Sequence, residues 1–129
     1  MTVQIASVTF DCADALTVAQ FWSAALDRPL DRNASSDFAT IGFAGRRDEV
    51  GWVPVDRDHD PTWMFAKVPE PKDAKNRMHL DLMTPDPEAE VARLVELGAT
   101  RIADTEEYGY KWTVMADPEG NEFCVAKER

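Results

Sequence analysis

The chain has 129 residues, enough for one domain that buries most of its apolar surface unaided. Its 44% apolar share, 29% charged share, four Trp and six Phe set it apart from disordered proteins. Against 14 Lys and Arg stand 24 Asp and Glu, and the formal net charge of −10 repels phosphate backbones and anionic lipid, so nucleic-acid and membrane-surface roles are disfavoured.

No run approaches the ~18 apolar residues of a membrane span, and no basic stretch followed by an apolar h-region opens the chain. The expected setting is the cytoplasm, with Cys12 and Cys124 as reduced thiols. Residues 3–12 read as the first strand, because Val8 and Phe10 alternate with Ser7, Thr9 and Asp11. Asp14 then caps a predicted helix whose Ala15, Val18, Ala19, Trp22, Ala25 and Leu26 recur at three- and four-residue steps, and Pro29 marks its end. Strands are predicted at 38–43, 50–55 and 63–68, separated by a turn at 44–47 and an acidic loop at 56–61. His59 within that loop is read as solvated.

Residues 69–76, proline-rich and polar, read as a connector. The order then starts again with a strand at 78–83, an N-cap at Asp86 and Pro87 at the first helical position. The second helix places Val91, Leu94 and Val95 on one stripe and stops at Gly98. Strands at 100–104, 111–116 and 122–126 complete the chain, the last two joined by Asp117-Pro118-Glu119-Gly120-Asn121. One common offset superposes Asp14 on Asp86, Val8 on Leu80, Phe10 on Leu82 and Trp22 on Leu94, and it also pairs Ser7 with His79 and Thr9 with Asp81. The predicted fold is therefore α+β, two βαβββ modules at about 3–68 and 77–127 in a single domain.

The segments Arg77-Met78-His79-Leu80-Asp81-Leu82 and Asp117-Pro118-Glu119-Gly120-Asn121-Glu122-Phe123-Cys124-Val125, in this paired order, resemble the vicinal oxygen chelate superfamily. The resemblance spans nearly the whole chain and is to the glyoxalase-like branch related to bleomycin-resistance proteins. It implies a curved mixed sheet forming a cup covered by helices, a homodimer, and in metal-dependent members a divalent ion held from the first, fourth, fifth and eighth strands. Carried over, those positions are Ser7, Ala66, His79 and Cys124, of which only His79 is the superfamily's residue. Ser is a poor ligand for a divalent ion and Ala is none, so no bound metal and no cofactor are expected. A cluster of His79, Asp81, Glu122 and Cys124 on one strand face is the arrangement that would hold zinc instead.

His79 beside Asp81 reads either as a general acid or base that also binds a ligand carbonyl, or as a histidine that merely orders the sheet. Cys124 is read as a small pocket-lining thiol, since no oxyanion stabiliser for a nucleophile is evident. Trp52, Trp63 and Trp112, with Tyr108 and Tyr110 in the preceding loop, are either pocket walls or core; Trp22 and Cys12 are core. Arg77 and Lys67 either bind an anionic group or pair with surface acids. The expected ligand-facing set is Ser7, Thr9, Trp52, Asp81, Trp112, Glu122 and Cys124, with His79 as the candidate catalytic residue. The expected function is binding of a small organic molecule, with a metal-dependent lyase, isomerase or dioxygenase and a non-catalytic sequestering protein as the alternatives.

Overall fold

A computed structural model describes residues 5–43, 47–48, 51–52 and 60–128. In chain order the elements are β1 (Ser7–Cys12), α1 (Ala15–Leu26), β2 (Phe38–Ile41), β3 (Arg47–Asp48), β4 (Gly51–Trp52) and β5 (Thr62–Lys67). They are followed by β6 (Leu80–Thr84), α2 (Pro87–Glu96), β7 (Thr100–Glu107), β8 (Tyr110–Ala116) and β9 (Glu122–Lys127). The architecture is α+β, with one mixed sheet of three strands and one of four, each accompanied by a helix. The chain divides into two compact units, Met1–Pro71 and Lys72–Arg129. No helix among the described residues is long and apolar enough to cross a membrane.

In the first unit, Asp14 starts α1 as its spacing predicts, its carboxylate accepting the Thr17 N–H at 3.1 Å. The helix buries Ala15, Val18, Ala19, Phe21 and Trp22. The sheet order is β1-β5-β2, with β1 parallel and β2 antiparallel to β5. Phe10 lies 5.7 Å from Trp22, 5.4 Å from Trp63 and 5.3 Å from Phe65 between ring centroids, so the core of this unit is an aromatic cluster. Trp63 therefore belongs to the core, as do Trp22 and Cys12. Strand β2 stops at Ile41, two residues short of the sequence reading, because Gly42 adopts φ +78° and the next N–H, from Phe43, is taken by Asp31 at 2.6 Å.

The second unit repeats the logic with different side chains. Asp86 caps α2 by accepting the Ala89 N–H at 3.2 Å, Pro87 occupies the first turn, and Gly98 leaves the helix at φ +119°. Val91 and Leu94 are buried, whereas Val95 is 45% exposed, because the sheet lies on the Leu94 side of the predicted stripe. The sheet order is β6-β9-β8-β7, with β6 parallel to β9 and the other pairs antiparallel. Both units thus place their first strand parallel to their last. Among the described residues the next neighbour differs: β5 is flanked by β2, which matches Ala39 with Phe65 and Ile41 with Trp63, and β3 pairs with β4.

Two boundaries differ from expectation. Strand β6 begins at Leu80 rather than at residue 78; beyond the Leu80 to Phe123 pair, the Glu122 carbonyl accepts Asn76 Nδ2 at 3.1 Å in place of another rung. Residues 105–107 and Tyr110, read as loop, are strand, because Tyr108 at φ +54° and Gly109 at φ +80° close a two-residue hairpin of the primed type.

The turn Asp117 to Asn121 closes on itself. Asp117 is 3% exposed, and its Oδ1 accepts the N–H groups of Glu119 and Asn121, both at 2.9 Å, while Oδ2 accepts Asn121 Nδ2 at 2.9 Å. Asp117→Ala, which leaves these part-buried donors unmatched, is expected to cost about 1–3 kcal/mol in urea denaturation. Asp117→Asn, which keeps an acceptor at Oδ1, should cost less; equal loss in both would show that the acceptors do not hold the turn.

Candidate functional site

Strand alternation divides the four-stranded sheet into two faces. One set of residues, including Phe123, Val125 and Met115, is buried in the unit, where α2 packs on β6, β7 and β9. The alternate set lies on the opposite face: Asp81 is registered against Cys124, which also opposes Val114, and Ala126 opposes both Met83 and Trp112. This face lines a cavity of about 1100 Å³, its walls completed by Tyr108, Tyr110 and Lys75. Its lining combines apolar and aromatic side chains, among them Met83, Tyr110, Trp112 and Val114, with charged ones such as Lys75, His79, Asp81, Glu107 and Lys111, and a concave site of this kind can hold a small molecule.

One polar group of the lining consists of His79, Asp81 and Cys124. His79 Nε2 lies 3.3 Å from Asp81 Oδ1, and both side chains are about half exposed. The donor atoms of all three residues lie within 4.8 Å of one another. Burial pushes the Cys124 thiol above its ordinary value, the negative charge of Asp81 pushes it further, and Lys75 only partly opposes them. At neutral pH the thiol therefore keeps its proton and is a poor nucleophile unless a cation takes its place.

Glu122 has a different employment. Its carboxylate accepts Lys72 Nζ at 3.0 Å and the Asn76 N–H at 2.9 Å, while Lys72 Nζ also reaches the Ala74 carbonyl at 2.5 Å. Desolvation raises this carboxyl, but the hydrogen bonds from Asn76 and Lys72 outweigh it and leave Glu122 below the usual range. Glu122 thus clasps the segment preceding β6 onto the start of β9.

Of the residues expected from the sequence, His79, Asp81, Trp112, Glu122 and Cys124 line this one cavity. Ser7 and Thr9 lie on β1 in the first unit, registered against Thr62 and Met64. Trp52 falls in β4 and its side chain lies outside the described residues, as does His59. Lys67 pairs with Asp37 at 3.9 Å on the surface. The sequence reading passed over Met83, Val114, Ala126 and Lys75. The first three were signalled by the same period of two that placed Asp81, Trp112 and Cys124; Lys75, in the connector, carried no such signal.

The superfamily chelate does not fit these residues. Ala66 has no donor atom, and the Ser7 hydroxyl is a weak ligand for a divalent ion, so two of the four positions supply little or nothing. The donors that do gather, His79, Asp81 and Cys124, include one residue outside that set.

Residues 7–126 match the glyoxalase-like domain family. No curated protein matches the chain. Among solved structures, a glyoxalase/bleomycin resistance protein/dioxygenase family enzyme from Burkholderia phytofirmans is similar at 18% identity and a TM-score of 0.68, covering 97% of this chain and 98% of that one. The bleomycin-binding protein of Streptomyces verticillus, in complex with copper(II)-bleomycin, is similar at 15% identity and a TM-score of 0.59, covering 100% and 99%. A fosfomycin resistance protein from Listeria monocytogenes, a mutant complexed with Mn(II) and a dihydroxypropylphosphonic acid, reaches a TM-score of 0.70 at 10% identity, covering 98% and 90%. At these identities the structural likeness is one of fold.

The Glu122 clasp carries a pH dependence. A carboxyl held below its ordinary value stabilises the folded state above the unfolded value of about 4.3, and the contribution disappears as pH falls through the lower folded value. Amide exchange at Asn76 should therefore lose protection as pH falls below the ordinary carboxylate range, and Glu122→Gln should abolish that acid-dependent step. Unchanged protection through the acid range would show that the carboxylate does not hold the segment.

Proposed function

The chain belongs to the glyoxalase-like domain family, within the vicinal oxygen chelate superfamily, and from that premise we propose that the open face of its four-stranded sheet binds a small organic molecule without the superfamily's complete metal tetrad. The observation that carries this reading is the juxtaposition, in one cavity of about 1100 Å³, of the Trp112 and Tyr110 rings with the polar group of His79 and Asp81. A flat or apolar portion of the ligand lies along Trp112, where ring contact and burial supply affinity. Its polar end reaches His79, which accepts or donates a hydrogen bond and, if the ligand reacts, moves the proton. Asp81 Oδ1, 3.3 Å from Nε2, orients the imidazole.

Binding by aromatic contact and one polar group needs no turnover, so sequestration is the form of this proposal put first, with lyase, isomerase or dioxygenase chemistry as the alternative. In this proposal the modules are joined through residues 69–76, and the protein works in the cytoplasm as a homodimer. The oligomer rests on resemblance alone; sedimentation equilibrium should return twice the chain mass of 14.5 kDa, and a monomer would remove that part of the proposal.

The binding reading is tested by a thermal-shift screen of metabolites and antibiotics on protein freed of metal with a chelator. A compound that raises the melting temperature should also quench Trp fluorescence, and Trp112→Phe should remove the quenching. Trp112→Ala and His79→Ala should each weaken binding about tenfold or more, the loss of roughly 1.4 kcal/mol. Hits whose affinity neither substitution changes would show that the ligand binds elsewhere.

A further inference from the structure

We infer that His79, Asp81 and Cys124 form a three-donor site for a borderline-soft divalent cation of the Zn²⁺ class. The site lies within the second unit, and its mutual spacing of 4.8 Å or less is the observation behind it. It is not the four-strand chelate of the superfamily, since Asp81 belongs to no position of that set and neither Ser7 nor Ala66 is required. It stands independently of any organic ligand.

The backbone supplies the geometry. Parallel pairing registers Asp81 beside Cys124, and His79 sits one residue before the first rung of β6, where its main chain is outside the ladder. Ligand bonds of about 2.0–2.3 Å around a tetrahedral ion bring donors to less than 4 Å from one another. The exposed His79 and Asp81 side chains can close the remaining distance by rotating, while the buried Cys124 stays in place. Glu122, on the same strand, is held by Lys72 and Asn76 and is not a fourth ligand.

The donor set decides the class of ion. One imidazole nitrogen, one carboxylate oxygen and one thiolate sulfur suit Zn²⁺ or Co²⁺, whereas Mg²⁺ and Ca²⁺ call for oxygen ligands throughout. As the Sγ–metal bond forms, the thiol proton passes to solvent, and the two anionic donors then neutralise the ion. Three protein ligands leave a coordination position open toward the cavity, the arrangement of zinc sites that retain an exchangeable water or ligand.

Co²⁺ added to metal-free protein should give a sulfur-to-cobalt charge-transfer band in the near-ultraviolet that saturates at one equivalent and is displaced by Zn²⁺. Cys124→Ser should abolish the band and Cys12→Ser should leave it. Loss of an outer-shell partner alone costs about 10–100-fold in affinity, so His79→Ala and Asp81→Asn, both at exposed side chains, should each weaken Co²⁺ binding by at least about tenfold. Their folding is checked by unchanged thermal melts of the metal-free proteins. Absence of the band in the wild type would overturn the inference, as would its survival in Cys124→Ser or equal affinity in His79→Ala and Asp81→Asn. Because these titrations contain no organic ligand, and the screen described above contains no metal, each reading can fail without the other.

Discussion

The parallel pairing of β6 with β9 is the constraint from which the chemistry of the second unit follows. It joins strands that are far apart in sequence and fixes Asp81 opposite Cys124 and Met83 opposite Ala126. A slip of one residue in β9 would send Cys124 among the buried side chains and bring Val125 to the open face. Burial of Phe123 and Val125 therefore specifies the register, and the register in turn specifies the polar group. Packing on one side of the sheet writes the chemistry on the other.

Much of this was legible in the sequence, because the period of two is a local property. Val8 and Phe10 against Ser7 and Thr9, and Cys124 against Phe123 and Val125, identify strands and faces without knowledge of partners. The helix caps at Asp14 and Asp86 were equally legible, since a carboxylate before an apolar stripe acts on N–H groups only three residues ahead. What could not be read was set by contacts distant in sequence. The early stop of β2 depends on Asp31 taking the Phe43 N–H, and the late start of β6 on Asn76 taking the Glu122 carbonyl. The exposure of Val95 depends on which side of the helix meets the sheet. Glu122 was placed correctly on its face, but its engagement by Lys72 and Asn76 comes from a connector that composition marks only as polar.

The two units use aromatic residues differently. The first encloses Phe10, Trp22, Trp63 and Phe65 in a mutual cluster, with Trp22 and Phe65 completely buried. The second builds its core from Leu94, Met115, Phe123 and Val125 and leaves Trp112 and Tyr110 along the open face. A duplicated fold can thus place its large rings in the core of one copy and along an open face of the other, because each strand presents independent residues to its two faces.

The segment Asp117 to Asn121 contributed much of the resemblance, yet every hydrogen bond described for its Asp117 carboxylate stays inside the turn. Its physical task is to reverse the chain between β8 and β9. Recognising such a chain by its turn reveals ancestry, and its present chemistry has to be sought in the side chains that the turn merely delivers.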